Sequence, residues 1–416
     1  MRVLLLGSGG REHAIARALR LDPAVTALHC APGNAGTADI ADNHVLDPTD
    51  PVAVVELARR IRPELVVIGP EAVLVAGVAD AVRQAGIPCF GPDAAAAKIE
   101  GSKAFAKEIM EAAGVPTAAA RVCESGDEVS AALDLFGPPY VVKDDGLAAG
   151  KGVVVTEDRA AAEEHAAACG RVVIEEYLEG PEISIFALSD GTHTVPMLPA
   201  QDYKRAYDED RGPNTGGMGA YTPLPWAPAS LVDEVMSTVV QPVIDELRRL
   251  KTPYVGVLYA GLALTPAGVR VVEFNARFGD PEIQVVLDRL ATPFGTLLQT
   301  CAIGGLQEGL RLEWTPGAAV NVVVAAENYP ADPVKGDVIA GIEEADAVPD
   351  AYVLHAGTTY SDRLLVAAGG RVLNVIGTGP DLAAARATAY EAVDKIRMRG
   401  MRYRTDIAAK AAATPS

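Results

Sequence analysis

Cysteine is scarce in this 416-residue chain, and its placement argues against a zinc site. The five cysteines are far apart, with no C-x-x-C pair and no spacing typical of zinc ligands. A reducing compartment suits such a chain, so we expect it in the cytoplasm. The cysteines are Cys30, Cys89, Cys123, Cys169 and Cys301.

Basic residues are too few for a general nucleic-acid-binding protein. The chain has 36 Lys and Arg residues against 55 Asp and Glu residues, which gives a net charge of -19 and a pI near 4.8. Nucleic-acid binding relies on a basic surface that neutralises phosphates. Small phosphorylated ligands stay compatible with this composition, because they need only a local positive pocket.

Long uninterrupted apolar runs are also missing. The uncharged stretch 252–269 is broken at Pro253, Gly256, Gly261 and Pro266, so it does not predict a membrane-spanning helix. The opening run, M-R-V-L-L-L-G-S-G-G, is too short for a secretory signal and predicts a first β-strand. What the chain does contain is 49% hydrophobic and 22% charged residues, an ordinary content for a globular protein.

Residues 1 to about 100 predict a Rossmann-like domain with a parallel sheet. Apolar strands at residues 3–6, 25–30, 65–68 and 88–90 alternate with helical segments. The first strand ends in G-S-G-G-R-E-H at residues 7–13, a glycine-rich turn that opens a helix. Backbone N–H groups and the helix dipole at such a turn favour an anion.

This turn does not fit a dinucleotide-binding fingerprint. Glu12 stands where the third glycine of G-x-G-x-x-G belongs, and the second strand ends without an acidic residue for a ribose hydroxyl. A second glycine loop, P-G-N-A-G at residues 32–36, adds to the same sheet edge, and Glu71 follows the third strand. With Arg11, these loops suggest a pocket for a phosphorylated sugar, although tight turns without a ligand have the same composition.

A loop rich in glycine and lysine follows the strand at residues 140–144. Its sequence, K-D-D-G-L-A-A-G-K-G at residues 143–152, can fold backbone amides and Lys151 over phosphate oxygens. It is not a Walker A loop, which requires G-x-x-x-x-G-K-S/T. Lys103 lies in the first turn of a helix predicted over residues 103–113 with Ser102 as its N-cap, where the dipole disfavours a cation. Either a ligand or simple surface exposure accounts for that lysine.

The stretch V-V-E-F-N-A-R-F-G-D-P-E at residues 271–282 predicts a metal site. It follows a turn signature, T-P-A-G, and therefore forms the second strand of a hairpin. Strand alternation places Glu273 and Asn275 on one face. A carboxylate and an amide oxygen can share Mg²⁺ with substrate phosphates and water. A solvated polar strand face is the alternative.

Three further stretches complete the pattern. The strand R-V-V-I-E-E at residues 171–176 could hold adenine by its backbone and a ribose by a carboxylate, or could simply end in solvated acids. The glycine-rich segment G-P-N-T-G-G-M-G-A-Y at residues 212–221 predicts a mobile active-site loop. Residues from about 319 to the end predict an α+β segment in which we find no chemistry, and His355 is predicted to be structural.

Seven of these motifs together resemble the phosphoribosylamine–glycine ligase (glycinamide ribonucleotide synthetase) family of ATP-grasp enzymes. They are GSGGREH, PGNAG, GSKAF, KDDGLAAGKG, VIEEYLEG, GPNTGGMGAY and VVEFNARFGDPE, in order over nearly the whole chain. The resemblance implies an α/β chain with a Rossmann-like N-terminal domain at residues 1–101, an ATP-grasp domain at 102–320 and a small α+β C-terminal domain at 321–416. A lid subdomain is implied at about 120–187.

The resemblance also implies a reaction of purine biosynthesis. ATP phosphorylates glycine to glycyl phosphate, and the amine of 5-phosphoribosylamine displaces phosphate to give glycinamide ribonucleotide, ADP and phosphate. Such chemistry needs positioning and charge neutralisation and no nucleophilic side chain. We expect a cytoplasmic monomer that acts on these small molecules, with no nucleic-acid or membrane partner.

Matching motifs imply a role for particular residues. Lys103, Lys143 and Arg277 are implied to be catalytic, with Mg²⁺ or Mn²⁺ held by Glu273 and Asn275. ATP is implied to bind Lys103, Lys143, Gly146, Gly150, Lys151, Gly152, Glu175, Glu176, Leu178 and Glu182. The substrates are implied to contact Gly9, Gly10, Arg11, Glu12, Gly33, Asn34, Gly36, Glu71, Asp202, Asn214, Gly217, Arg277 and Asp280.

Three other functions stay open at this point. Bicarbonate-dependent ATP turnover without glycine would favour a biotin-dependent carboxylase subunit, and another ATP-grasp carboxylate–amine ligase is equally of this class. An NAD-linked oxidoreductase is opposed by Glu12 and would require nicotinamide binding. A non-catalytic ATP-binding module is the third possibility, which the intact set of lysines, metal pair and glycine loops disfavours.

One residue departs from the family pattern. Asp144 replaces the alanine of K-A-D-G-L-A-A-G-K-G. Strand alternation places Asp144 on the face opposite Lys143. We therefore expect it to affect the packing of the lid or solubility and not the chemistry.

Overall fold

Four sheets of four or five strands, two sheets of two strands (β13-β14 and β20-β21) and the helices that cover them make up the part of the chain that a computed structural model describes, residues 1–147 and 152–413. Gly150 and Lys151 of the predicted phosphate loop lie outside the described residues. Within those residues, no helix combines the length and the apolar character needed to cross a membrane.

The N-terminal part is a five-stranded parallel sheet with strand order β3-β2-β1-β4-β5. Its central strands β1 and β4 are almost entirely apolar because both faces are covered: Leu4 and Leu6 of β1 pack into one hydrophobic cluster, while Val3 and Leu5 pack into another. The elements are β1 (Arg2–Gly7), α1 (Gly10–Leu21), β2 (Ala27–Pro32), β3 (Asp42–Asn43), α2 (Pro51–Ile61), β4 (Leu65–Ile68), α3 (Glu71–Val75), α4 (Val78–Gln84) and β5 (Cys89–Phe90).

Two helices, α5 (Ala94–Gly101) and α6 (Lys103–Ala113), connect this sheet to the next one. The predicted bounds of α6 are confirmed, and the reason is local. The Ser102 hydroxyl accepts a hydrogen bond from Phe105 N at 3.1 Å, and Gly114 ends the helix in a left-handed conformation at φ 67°.

A small antiparallel sheet with its own hydrophobic cluster follows, in the order β6-β9-β7-β8. Its strands end at residue 175. The next strand, which contains residue 187 of the predicted lid, pairs with a different sheet. The elements are β6 (Ala120–Cys123), α7 (Gly126–Phe136), β7 (Tyr140–Asp144), β8 (Val153–Thr156), α8 (Arg159–Ala168) and β9 (Val172–Glu175).

The central antiparallel sheet has the order β11-β10-β16-β17 and carries the predicted metal-binding hairpin on its edge strand. The elements from this region are β10 (Glu182–Asp190), β11 (Thr194–Pro196), β12 (Gln201–Asp202), β13 (Arg205–Tyr207), β14 (Arg211–Asn214), β15 (Gly219–Thr222), α9 (Leu231–Val235), α10 (Gln241–Arg249), β16 (Val255–Thr265), β17 (Gly268–Asn275), α11 (Glu282–Arg289) and α12 (Phe294–Ala302). A π-helical turn at Met236–Val240 joins α9 to α10.

The last sheet combines strands from the middle and the end of the chain, in the order β12-β15-β18-β22-β19. The predicted domain limit at residues 320 and 321 falls inside one of these strands. The remaining elements are β18 (Ala318–Ala325), α13 (Ile342–Asp346), β19 (Ala351–His355), β20 (Thr358–Ser361), β21 (Leu364–Ala367), β22 (Arg371–Gly379), α14 (Leu382–Val393) and α15 (Ala409–Ala412).

Candidate functional site

A cavity of about 1230 Å³ receives side chains from every part of the chain. Arg11 and Glu71 come from helices α1 and α3 of the N-terminal part, Lys143 from the small sheet and Glu273 from the central sheet. The final segment, in which the sequence suggested no chemistry, contributes several residues, including Arg371 and Asp406.

The predicted metal pair lies on the edge strand β17, on the cavity wall. The Asn275 amide nitrogen is 3.5 Å from Glu273 Oε1, so the two side chains do share one face of the strand. No cluster of three or more His, Cys, Asp or Glu side chains fit to hold a metal occurs in the part of the chain that the structure describes. Two oxygen donors on a cavity wall suit Mg²⁺, which takes its remaining ligands from substrate phosphates and water.

A β-bulge in the same hairpin orients Lys143. Gly261 pairs with Glu273 and Leu262 with Val271, which leaves Val272 without a partner across the hairpin. The Lys143 ammonium donates to the Val272 carbonyl oxygen at 2.9 Å and contacts Glu175 Oε2 at 2.7 Å. Lys143 is therefore held against the strand that carries the metal pair.

Glu175 is buried between two lysines. Its carboxylate lies 2.7 Å from Lys143 and 3.0 Å from Lys107, and the residue is 3% exposed. Burial lowers the pKa of Lys107, against the attraction of Glu175. The sequence did not single out Lys107, because its partner is far away in the chain.

The loop after β7 rests on the start of α6. Lys103 donates from its ammonium to the Gly146 carbonyl oxygen at 3.0 Å. The Asp145 carboxylate accepts from the Ser102 hydroxyl and from Ala104 N, both at 3.0 Å. Lys103, Gly146 and Gly152 all line the cavity, as the sequence predicted for a phosphate site.

The predicted adenine-binding end lies where the small sheet joins the central one. Glu176 and Leu178 line the cavity, and the Glu176 carboxylate accepts from Ala119 N at 3.0 Å and contacts Arg270 at 3.3 Å. Residues 119 and 176 are the two chain connections of the small sheet. Glu176 therefore ties both connections to the hairpin strand β17, a role that strand patterns do not reveal.

Lys204 stands between two of the predicted ligand carboxylates. Its ammonium lies 2.8 Å from Glu182 Oε2 and 3.1 Å from Asp202 Oδ1. Burial alone would lower the pKa of Lys204, but Asp202 and Glu182 outweigh it and hold that pKa well above its usual value. The same lysine lowers the pKa of Glu182. The sequence analysis missed Lys204, although its motif Q-D-Y-K-R was the available signal.

Glu282 is a further buried acid beside this group. It accepts hydrogen bonds from the Tyr259 hydroxyl at 2.8 Å and from the Ser184 hydroxyl at 3.1 Å. Burial and the nearby Asp202 raise the pKa of Glu282. Lys204 thus favours the ionised form of Glu182, whereas burial and Asp202 favour the neutral form of Glu282.

Arg277 joins the hairpin to the N-terminal part. Its guanidinium contacts Glu71 at 3.3 Å and Glu100 at 3.2 Å. Burial opposes the charge of Arg277, but Glu100 and Glu71 outweigh it and raise its pKa. Burial raises the pKa of Glu100 despite Arg277, whereas Arg277 and Arg11 overcome burial at Glu71 and lower its pKa.

Asp280 is paired with an arginine that the sequence analysis did not single out. Arg371, at the start of β22, contacts Asp280 Oδ2 at 3.1 Å and donates to the Gly216 carbonyl oxygen at 2.5 Å. Burial works against ionisation of Asp280, but Arg371 and Arg11 lower its pKa. Arg371 also reaches the Gly217 carbonyl oxygen at 3.5 Å, and so it ties the glycine-rich loop to the motif that contains Asp280. Asn214 of that loop lines the cavity too.

The N-terminal glycine loops are only partly brought to the cavity. Of the residues in this region that were predicted to bind substrate, Arg11 and Glu71 line the cavity, as far as the structure describes the chain. The Glu12 carboxylate instead accepts from Gly9 N at 2.7 Å and pairs with Arg11 Nε at 2.5 Å. A Cβ on Gly69 would lie 2.2 Å from Glu12 Oε1, so Glu12 fills the space between the loops. With Glu12 in place of the third glycine, the turn does not fit the dinucleotide interpretation.

The other loop residues pack against their neighbours in the N-terminal part and against the C-terminal part. The Asn34 amide donates to the His355 carbonyl oxygen and to the Ser8 carbonyl oxygen, both at 2.9 Å. A Cβ on Gly10 would lie 2.2 Å from Asn374 Nδ2, one on Gly36 would lie 2.3 Å from His13, and one on Gly33 would lie 2.4 Å from Asn43. These glycines therefore permit close packing in the structure, whatever else they contact.

Family models match the chain in three consecutive segments. They are the phosphoribosylglycinamide synthetase N domain at residues 1–100, its ATP-grasp (A) domain at residues 101–283 and its C domain at residues 319–410. A phosphoribosylamine–glycine ligase of Streptomyces coelicolor is 62% identical over 414 residues, covering 99% of this chain and 100% of the relative.

Solved structures show the same architecture. A phosphoribosylamine–glycine ligase from Thermotoga maritima is 35% identical with a TM-score of 0.85, covering 98% of this chain and 100% of that one. The biotin carboxylase domain of a Hydrogenobacter thermophilus 2-oxoglutarate carboxylase, solved with MgADP, ADP and bicarbonate, has a TM-score of 0.73 at 17% identity. It covers 97% of this chain and 91% of its own length, and at that identity it shows the shared fold alone.

Proposed function

The chain belongs to the phosphoribosylglycinamide synthetase family, and from that premise we propose how its cavity joins glycine to 5-phosphoribosylamine at the expense of ATP. The observation that carries the proposal is the convergence on one cavity of Lys143, the Glu273 and Asn275 pair and the half-buried Arg277. The reaction is the ATP-dependent ligation that forms glycinamide ribonucleotide, ADP and phosphate in purine biosynthesis.

ATP lies along the junction of the small and central sheets in this proposal. Lys103 and Lys143 neutralise its phosphates, with backbone amides of the loop that includes Gly146 and Gly152. Support comes from the Lys103 contact with the Gly146 carbonyl oxygen, which places the lysine and the loop together. Gly150 and Lys151 belong to the same proposed site. The backbone around Glu175, Glu176 and Leu178 binds adenine, and Glu182 accepts from the ribose hydroxyls.

Glu273 and Asn275 hold the divalent metal ion in this proposal. When bound, the metal ion neutralises the phosphate oxygens of ATP and so lowers the barrier to phosphoryl transfer. We propose Mg²⁺ or Mn²⁺ as the ion, because both prefer the oxygen donors that these residues offer. The protein supplies only two donors here, which leaves the other coordination positions to ATP and water.

Glycine binds between Asp202 and Arg277. Arg277 is suited to orient a carboxylate because its fork of N–H donors can make two parallel bonds. The ammonium group of glycine is matched by the carboxylate of Asp202. This places the glycine carboxylate towards the phosphates of ATP, where one of its oxygens attacks the terminal phosphorus and ADP leaves.

The sugar phosphate of 5-phosphoribosylamine binds at the N-terminal glycine loops, with Gly9, Gly10, Arg11, Glu12, Gly33, Asn34, Gly36 and Glu71 forming that side in our proposal. Asn214, Gly217 and Asp280 close it from the central part. The substrate nitrogen attacks the carbonyl carbon of glycyl phosphate, the C–N bond forms, and phosphate leaves with the electron pair of the C–O bond. The nitrogen then loses a proton.

The test is ADP release from ATP and Mg²⁺ with glycine, with and without freshly prepared phosphoribosylamine. We expect release that requires both substrates and falls by about 100-fold or more in Glu273→Ala, because the metal loses a protein ligand. Glu308→Gln, which changes an exposed acid outside the cavity, is expected to behave like the wild type. Release without phosphoribosylamine, or dependent on bicarbonate, would contradict the assignment.

We further propose that the protein acts as a cytoplasmic monomer and that its three parts divide at residues 101/102 and 320/321. Sedimentation at micromolar concentration tests the first statement, and a dimer would refute it. Limited proteolysis tests the second. The 320/321 limit lies in the buried strand β18, so cleavage at that end is expected in the exposed residues 307–311 that precede this strand.

A further inference from the structure

A strap of residues 402–412 near the end of the described chain packs against the loop of residues 203–214. The strap adds Asp406, Ala409 and Ala411 to the cavity wall, and the loop adds Lys204 and Asn214. The two segments are about 200 residues apart in the sequence, so no local pattern could have joined them.

Arg404 is the centre of this contact. Its side chain is 0% exposed, and it donates to the Arg205 carbonyl oxygen at 3.1 Å and to Asp210 Oδ1 at 2.8 Å. Its remaining donors bond to Asp406 at 2.8 and 2.6 Å. Its guanidinium carbon also lies 4.7 Å from the ring centre of Tyr203. A buried charge is tolerated only when it is paired in this way.

Additional hydrogen bonds fix the strap on both sides. On the loop side, Thr405 N donates to Asp208 Oδ1 at 2.8 Å and Ala408 N donates to the Tyr203 hydroxyl at 2.9 Å. On the other side, the Tyr390 hydroxyl of α14 donates to the Arg404 carbonyl oxygen at 2.7 Å. The strap therefore connects a helix of the C-terminal part to the loop.

The residues held by the strap are those on either side of Lys204. Arg404 contacts the Tyr203 ring and the Arg205 carbonyl oxygen, while the Lys204 carbonyl oxygen accepts from Thr215 N at 2.8 Å. The Lys204 side chain is thus presented to Glu182 and Asp202 from a backbone that is fixed at three consecutive residues.

We propose that Arg404 is a positioning residue for the ligation, which acts by fixing the Lys204 ammonium between Glu182 and Asp202. The inference rests on the proposed function, because that function assigns the first carboxylate to the ribose of ATP and the second to glycine. Displacing a group of this kind by about 1 Å costs up to about 100-fold in rate.

A double-mutant cycle tests the proposal. Arg404→Met and Lys204→Met are measured alone and combined, both for kcat/KM with glycine and for affinity towards MgADP by calorimetry. We expect each single change to reduce both quantities by about tenfold or more, and the combined change to be no worse than Lys204→Met alone, because Arg404 acts through Lys204. Effects that multiply would overturn the proposal.

Stability is measured in parallel, since removing one partner of a buried ion pair is strongly destabilising. Asp210→Asn weakens the strap on the side of the loop, and Tyr390→Phe weakens it on the side of α14. Both variants keep Arg404, so they leave less buried charge unpaired than Arg404→Met does. Each variant is expected to reduce kcat/KM for glycine by about threefold or more when Lys204 is intact. In the Lys204→Met background, neither is expected to reduce it further. Unchanged kinetics in both folded variants would overturn the proposal.

The matched control is Arg399→Met, which removes an arginine that is exposed and paired with Asp337 outside the strap. It is expected to leave both quantities unchanged.

The proposed function and the inference fail differently. A wild type that releases no ADP with both substrates would refute the former, whereas the MgADP cycle would still report whether Arg404 acts through Lys204.

Discussion

The charge of Arg277 is stabilised by partners that are distant in the sequence. Arg277 lies two residues beyond the end of β17. Its partners Glu71 and Glu100 come from other elements, however, and no spacing within the hairpin could have identified them. The charge of Arg277 therefore belongs to the contact between two parts of the chain.

Replacing Arg277 by Met should destabilise the protein by about 3 to 5 kcal/mol near pH 8, because the buried carboxylate of Glu100 and the half-buried one of Glu71 would lose their cation. The loss should be smaller near pH 5, where Glu100 takes up a proton more readily. Urea denaturation at both pH values measures it. Arg248→Met removes an exposed pairing with Asp245 and is the control. An equal loss at both pH values would contradict the reasoning.

Asp144 is the residue that departs from the family pattern, and replacing it tests the expectation that it does not affect the chemistry. It lies half-buried on β7, its N–H donates to the Gly152 carbonyl oxygen at 2.7 Å, and it is outside the cavity lining that the described residues form. We expect Asp144→Ala to change ATP affinity by less than about tenfold, or 1.4 kcal/mol. Calorimetric titration measures this, with Lys143→Ala as the variant expected to lose affinity. A larger gain in Asp144→Ala would place Asp144 beside the phosphates.

At the scale of elements, the hairpin of β16 and β17 was predictable and its bulge was not. The turn signature and the alternation of side chains correctly indicated the hairpin and the shared face of Glu273 and Asn275. The bulge depends on how β16 pairs with β17, which the sequence of one strand does not contain. It matters because it leaves the Val272 carbonyl oxygen to accept from Lys143.

Gly261 lies opposite Glu273 and offers a test of this hairpin. A Cβ at Gly261 would lie 3.3 Å from Glu273 Cγ, so Gly261→Ala should displace that side chain slightly. We expect the Mg²⁺ concentration for half-maximal activity to rise about threefold to tenfold, because a metal ligand moves. Gly305→Ala is the matched control, since its Cβ would lie 3.3 Å from Thr300 Cγ2 away from the cavity. No change in Mg²⁺ dependence would show that Glu273 is not tightly positioned.

For the whole molecule, the resemblance of the motifs to the family and the expected α/β architecture are both confirmed. Local patterns sufficed for this, because each motif is contiguous. They did not suffice for the contributions of Arg371 and Arg404, which have partners in remote segments, whereas Lys204 pairs with Asp202 inside the local motif Q-D-Y-K-R, which the sequence analysis missed. The assigned roles of the site residues and the domain limits stay predictions.

His13 and His355 link the N-terminal and C-terminal parts. His13 Nδ1 accepts a hydrogen bond from His355 N at 2.8 Å, and burial, followed by the neighbouring His355, lowers the pKa of His13 to about 3. The unfolded chain therefore binds a proton at His13 below about pH 6.5, whereas the folded protein does not. Stability contributed by neutral His13 is present above that pH and is lost as the pH falls towards 3.

We expect His13 to account for about 2 kcal/mol of lost stability between pH 7 and pH 5. His13→Asn keeps an acceptor near the position of Nδ1 but cannot titrate, so its stability should decline less over this range. Urea denaturation of both proteins at the two pH values gives the comparison. Parallel declines would mean that His13 is not the titrating group.

The sheet shared by the middle and the end of the chain also affects how the protein is made. Strand β15 ends at Thr222, and its partner β18 begins at Ala318. At about 5 to 20 residues per second, a ribosome needs roughly 5 to 20 s to synthesise the intervening segment. During that interval the nascent chain exposes an unpaired strand edge, which is the surface that a chaperone on the emerging polypeptide would have to shield.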